Sequence, residues 1–270
     1  MSEMDRRTFI GGGVAAACAT SLMLGTQADA KPQKRRVICW SEGTAPKNIY
    51  PADINHAIAE GLSPLKGWDV VTASLNDADQ GLPDDLLNSA SVIIWWGHMR
   101  HDDVKTELVN KLVHRVKEEG MGFIGTHSAH WSRPFKALMG TPCGWTGGYN
   151  EDGSSVAVSV KAPKHPITKG IKDFVIPHTE RYTERFEAPD PEQLIFDGVY
   201  TLPNGKTEPS RQGMIWTVGK GRVFYFQPGH ESYPIYFQEE VRQSTAGFVD
   251  EPLRSQEFAI SPLFEEGRIR

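Results

Sequence analysis

The apolar positions of this 270-residue chain fall into short continuous runs separated by helical patterns. Val37-Ile38-Cys39-Trp40 is a run of the kind buried on both faces of a sheet. Helical residues follow from Pro51 to Leu62, and Trp68–Ala73 and Ser91–Trp96 predict a second and a third strand. Between Asp102 and Glu119, Val104, Leu108, Leu112, Val113 and Val116 recur at helical spacing, and Gly120 stands where that helix ends. Met121–Gly125 predicts a fourth strand. Strand and helix in alternation predict an α/β fold with a parallel, doubly wound sheet. From Thr141 the texture changes. Ser154–Val160 alternates as a strand, Pro, Gly and Asp are dense from Pro163 to Pro209, and short strands are expected at Gln193–Val199, Met214–Val218 and Arg222–Gln227. Ser154–Val218 reads as β-rich additions laid against the sheet, and the tail from Phe248 as a segment wrapping the surface.

Three of the strand-like runs break into polar tips that carry histidine. They are Trp96-Gly97-His98-Met99-Arg100-His101, Gly125-Thr126-His127-Ser128-Ala129-His130 and Gln227-Pro228-Gly229-His230-Glu231. Ligands of open α/β sheets bind beyond the carboxyl ends of the strands. Imidazole is the side chain best suited to proton transfer or metal ligation near neutral pH. The three tips therefore predict one site, with the first histidine of each i, i+3 pair facing it. His127 stands where a nucleophile elbow would lift a Ser or Cys above the sheet. Here the central residue is His and the last is Ala, which argues against covalent catalysis. His165, before Pro166, reads as a turn residue, and His56 and His114 as ordinary helical positions. Trp95, Trp96, Trp131, Trp145, Tyr149, Tyr182 and Tyr233 cluster around the tips, where aromatic faces can pack on sugar rings or serve as core.

The first thirty residues read as a leader. Asp5-Arg6-Arg7-Thr8-Phe9-Ile10 has the form of a twin-arginine export signal, Gly11–Gly25 is weakly apolar, and Ala28-Asp29-Ala30 is a small-x-small cleavage site. The apolar stretch is too short and glycine-rich for a permanent membrane span. A lipid anchor on Cys18 is the rival reading. The mature chain then starts at Lys31 and is periplasmic. Losing two basic and three acidic residues from totals of 29 and 34 leaves 27 against 31, a net charge of −4. No polybasic stripe is present, so nucleic acid is not an expected partner. Neither Gly-x-Gly-x-x-Gly after the first strand nor a P-loop occurs, so a nucleotide cofactor is not supported. Two cysteines remain, Cys39 and Cys143, and whether they pair is left open by the sequence.

The runs Trp96-Gly97-His98-x-Arg100-His101-Asp102, Gly122-Phe123-Ile124-Gly125-x-His127-Ser128-Ala129-His130, Phe135-Lys136-x-Leu138-Met139-Gly140-Thr141, His165-Pro166-Ile167, Glu180-x-Tyr182 and Phe224-Tyr225-Phe226-x-Pro228-Gly229-His230-Glu231 resemble the ThuA-like, trehalose-utilisation family. The resemblance covers about residues 36 to 247. It implies a flavodoxin-like sheet akin to class I glutamine amidotransferases, whose nucleophilic Cys is here His127. It singles out His127, Glu180 and His230 most strongly, as catalytic, then His98 and Tyr182. The expected substrate contacts are His98, His130, Trp131, Tyr182 and Glu231. The resemblance also implies one ThuA-like domain, 31–247, between the leader and a tail from 248 to 270.

Two function classes remain. One is an enzyme acting on a sugar, keto-sugar or glycoside by His/Glu acid–base chemistry, through isomerisation or elimination. A divalent metal, zinc or manganese, on His98, His127 and His230 would assist it. The other is a non-catalytic sugar-binding or accessory protein. Only one well-placed carboxylate is found, which ranks ordinary glycosidase chemistry lower.

Overall fold

The computed structural model describes residues 35–260. The expected export signal, the cleavage site after Ala30 and Cys18 lie outside the described residues. In chain order the elements are β1 (Arg35–Ser41), α1 (Ile54–Leu62), β2 (Trp68–Ser74), α2 (Asp84–Ser89), β3 (Val92–Trp96), α3 (Thr106–Glu119), β4 (Gly122–Thr126) and α4 (Arg133–Met139). There follow β5 (Tyr149–Asn150), β6 (Ser155–Val160), β7 (Phe174–Ile176), β8 (Arg181–Tyr182), β9 (Gln193–Thr201), β10 (Thr207–Val218), β11 (Gly221–Phe226) and α5 (Glu239–Ile260).

Nine strands form one sheet in the order β2-β1-β3-β4-β11-β10-β9-β6-β7. The first five pair in parallel. Counted among themselves they run 2-1-3-4-5, the flavodoxin-like order. The remaining four continue the same sheet antiparallel. The segment expected to lie against the sheet therefore extends it edge to edge. Alternation along β1 and β3 divides the core. Val37, Cys39, Val92, Ile94 and Trp96 face one side, with α1 and α5, and Ile38, Trp40, Ile93 and Trp95 face the other, with α3 and α4. Trp40 and Trp95 stack at 3.7 Å between ring centroids.

Two boundaries differ from the sequence pattern. The helix expected from Asp102 begins at Thr106, after a separate turn at His101–Asp103, because Val104 is extended and buried. As far as residue 260, the expected surface tail is instead the continuation of α5. Phe248 and Val249 are buried, and Phe248 stacks on Phe224 at 3.8 Å. Among the described residues no helix is long and apolar enough to cross a membrane.

Cys39 and Cys143 are both buried and unpaired. Burial pushes the Cys39 thiol up strongly and the Cys143 thiol to about 11, so neither supplies a thiolate near neutral pH. Replacing both with alanine is expected to leave catalysis within about twofold while costing about 1–2 kcal/mol of stability. Activity assays beside thermal unfolding check this, and loss of turnover in a folded double variant would restore thiol chemistry.

Candidate active site

β3, β4 and β11 are adjacent and parallel, so their carboxyl ends share one edge. Gly97-His98 follows β3, His127 follows β4, and Gln227-Pro228-Gly229-His230-Glu231 follows β11. The edge gathers the three imidazoles. Ring centroids are 5.7 Å apart for His98–His127, 4.8 Å for His98–His230 and 5.2 Å for His127–His230. His127 has φ +54°, the left-handed conformation that a bulky residue keeps only where its surroundings enforce it. It thus occupies the elbow geometrically, with an imidazole in place of a nucleophile. Gly229 has φ +141°, and a Cβ there would run into the Tyr236 ring. Its carbonyl accepts from Trp96 Nε1 at 3.0 Å. Gly229→Ala is expected to cost about 1–3 kcal/mol and to displace His230. Thermal unfolding and kinetics together test this, and an unaltered Tm and kcat would contradict it.

Glu180 arrives from outside the sheet. β8 pairs with β5 as a two-stranded ribbon. It is pinned over the edge where Ser210 Oγ and Gln227 Nε2 both donate to the Tyr182 carbonyl, at 2.8 and 3.1 Å. Glu180 Oε2 stands 3.1 Å from His127 Nε2 and 3.9 Å from His230 Nε2. The Tyr182 hydroxyl is 3.3 Å from His127 Nε2 and also bonds Ser128 Oγ. Ser128 is buried and its hydroxyl is engaged there, which leaves it no nucleophilic role.

Hydrogen bonds fix the imidazole protons. A carbonyl only accepts, so His127 Nδ1, 3.2 Å from the Gln227 carbonyl, carries hydrogen, and Nε2 is the nitrogen turned to Glu180. His98 Nδ1 donates to Glu231 Oε1 at 2.6 Å. His230 Nδ1 accepts from the Ser232 backbone N–H at 3.1 Å. Burial alone would raise the Glu180 pKa, but the His127 imidazole, helped by Tyr182 and His230, outweighs it and holds the carboxyl at about 2. Burial likewise opposes ionisation of Glu231, and His98 overcomes it, so this carboxyl also lies below its ordinary range. The His98 pKa is raised: burial works against it, and Glu231 outweighs burial. The His230 pKa is lowered by burial and by the neighbouring His127. His98, with 23 % of its side chain exposed against 0 % for His127, is the opening of the cluster to solvent.

The structure therefore brings His98, His127, Glu180, Tyr182, His230 and Glu231 together. Glu231 and Tyr182 are buried and bonded to His98 and His127, so they position histidines rather than line an open substrate surface. His130 is the clear correction. It is fully buried, packed edge-on against Tyr182, Trp145, Phe186 and Tyr225, and burial lowers its pKa to about 3. The turn at His127–Trp131 sends the second histidine into the core. Trp131 stays at the surface, 37 % exposed, edge-on to the exposed Tyr149. His165 caps a short turn, its Nδ1 accepting from the Ile167 N–H.

The sequence reading missed Glu42. Its buried carboxylate follows β1 and accepts the backbone N–H groups of His98, Met99 and Arg100 at 2.8–2.9 Å. Its other oxygen is 3.2 Å from His101 Nδ1. Burial opposes its ionisation, but His101 and the backbone donors bring the pKa below the ordinary value. The strand-end rule that found the histidines points equally to Ser41-Glu42-Gly43. Glu151, 3.8 Å from His230 Nδ1, comes from a loop with no pattern to announce it.

The family profile described as trehalose utilisation, ThuA, matches residues 36–249. A ThuA-like protein from Bacteroides uniformis superposes with TM-score 0.56 at 18% identity, covering 82% of this chain and 93% of its own. A glutamine amidotransferase from Thermotoga maritima superposes with TM-score 0.50 at 13% identity, covering 80% and 96%. At these identities the likeness is one of fold. A comparison with curated proteins finds no significant match.

Proposed function

Since the chain belongs to the trehalose-utilisation family, ThuA, we propose that it is an exported carbohydrate-catabolism enzyme acting on a keto-sugar or keto-glycoside by proton transfer at carbon. Family membership supports a role in carbohydrate utilisation. The observation that carries the reaction class is the buried His127–Glu180 pair at 3.1 Å, with the His98 and His230 rings beside it at one edge of the sheet.

A ketone acidifies the neighbouring C–H. The His127–Glu180 pair takes that proton as the C–H electrons move onto the carbonyl oxygen, where His98 or His230 steadies the enolate. A carboxylate as acidic as Glu180 is a weak base alone, so the proton comes to rest on the imidazole, whose charge Glu180 balances. Where that carbon bears a hydroxyl, passing the hydroxyl proton to the former carbonyl oxygen and returning the abstracted proton to the former carbonyl carbon isomerises the sugar. Alternatively the enolate electrons form a C=C bond and expel a β-glycosidic oxygen, which takes a proton from His230 or His98. The exposed rings of Trp131 and Tyr149 are the faces on which a sugar ring would stack. A purely sugar-binding role would use those two aromatics but gives no account of the buried titratable groups.

The test is NMR of keto-glucosides and keto-disaccharides in D2O with the purified chain. Deuterium entering beside the ketone, or release of the leaving sugar, is expected. Binding without exchange would support the non-catalytic role. N-terminal sequencing of periplasmic material, expected to begin at Lys31, tests export.

A further inference from the structure

One donor atom from each of His98, His127, His230 and Glu231 lies within 4.8 Å of the other three. Four donors around an ion at about 2.1 Å stand roughly 3.4 Å apart, so the set closes on a common centre with side-chain shifts of about 1 Å. The donors are also prepared for it. Histidines that bind metals hold their other ring nitrogen in a hydrogen bond to a carboxylate or carbonyl. His127 does this through the Gln227 carbonyl, which leaves Nε2 as its ligand atom. His98 Nδ1 and Glu231 Oε1, 2.6 Å apart in a hydrogen bond, would part to hold the ion between them. Glu231 Oε2 is buried with no hydrogen-bond partner, an orphaned anionic oxygen beside His230 Nδ1 at 3.8 Å. Ligation by His230 through Nδ1 exchanges its bond from the Ser232 N–H for the metal bond.

We infer that His98, His127, His230 and Glu231 form a binding site for one divalent transition-metal ion, zinc suiting the imidazole-rich set best. The ion's role rests on the reaction proposed above. In that reaction the ion takes the place of His98 or His230 as the electrophile that draws charge onto the ketone oxygen. Glu180, outside the four-donor set but 3.1 Å from His127 Nε2, then replaces His127 as proton acceptor, a weak base made sufficient because the ion further acidifies the C–H.

Metal binding is measured without substrate. Elemental analysis of the purified full chain is expected to find close to one equivalent. Chelator-stripped protein titrated calorimetrically with Zn2+ and with Mn2+ is expected to regain it. His127→Ala and His230→Ala should abolish tight uptake, Glu231→Gln should weaken it about ten- to a hundredfold, and Glu180→Gln should retain it, with circular dichroism confirming each fold. Failure of the folded parent protein to take up either ion overturns the site. Loss of the ion from Glu180→Gln as complete as from His127→Ala overturns the assigned ligand set. Ion uptake without any exchange on keto-sugars refutes the reaction and leaves the site standing. Exchange by stripped protein that binds no ion refutes the site and leaves the reaction standing.

Discussion

Glu180→Gln is expected to lower kcat on a keto-sugar by about 10²–10⁴-fold, the usual contribution of a positioned acid or base. The exchange is isosteric. It keeps a hydrogen-bonding atom near His127 Nε2 but removes the charge that balances an imidazolium there. Under the paired-base reading this makes the proton harder to hold on His127. With a metal on His127 it removes the proton acceptor itself. Both readings place the effect in kcat rather than KM, because the carboxylate acts on a charge that develops during reaction. Deuterium exchange into the substrate reports the step directly. Exchange at the parental rate would remove Glu180 from the chemistry.

Glu42→Ala should be the most destabilising single change near the site. The carboxylate is fully buried and satisfies three backbone N–H groups at once. Its removal strands those donors and the facing His101, at a cost of about 3–5 kcal/mol. For a chain of this size that corresponds to a fall in Tm of roughly 10 °C. Gly97 packs against the same carboxylate so closely that a Cβ there would stand 2.7 Å from Glu42 Oε1. The loop carrying His98 is thus clamped from two sides, and Glu42→Ala should also loosen His98 from Glu231. Glu42→Gln, which keeps an acceptor oxygen, should recover much of the stability. A Glu42→Ala protein that melts with the parent would show that water replaces the carboxylate.

The parallel half of the fold was legible because its strands are buried on both faces, and Val37–Trp40, Ser91–Trp96 and Met121–Gly125 read as continuous apolar runs. The antiparallel half was harder to read. Two-residue strands such as β5 and β8 have no periodicity to detect, and whether a strand pairs with a sheet or lies upon it depends on partners distant in the chain. The same division runs through the site. His98, His127 and His230 could be found because each follows a strand, a feature written locally. Glu180 came from the family resemblance alone, since its place over the edge depends on Gln227 and Ser210 gripping the Tyr182 carbonyl. His130, named among the substrate contacts, lies in the core because the turn at His127–Trp131 sends the second histidine inward, as the expectation that only the first of each pair faces the site had implied. By itself, the sequence determined which chemical groups stand at the strand ends and that they share one edge. Only the tertiary structure decided which of them face each other, and which nitrogen of His98, His127 and His230 carries the proton. Those outcomes depend on burial and on hydrogen bonds between residues far apart in the chain, which no local pattern encodes.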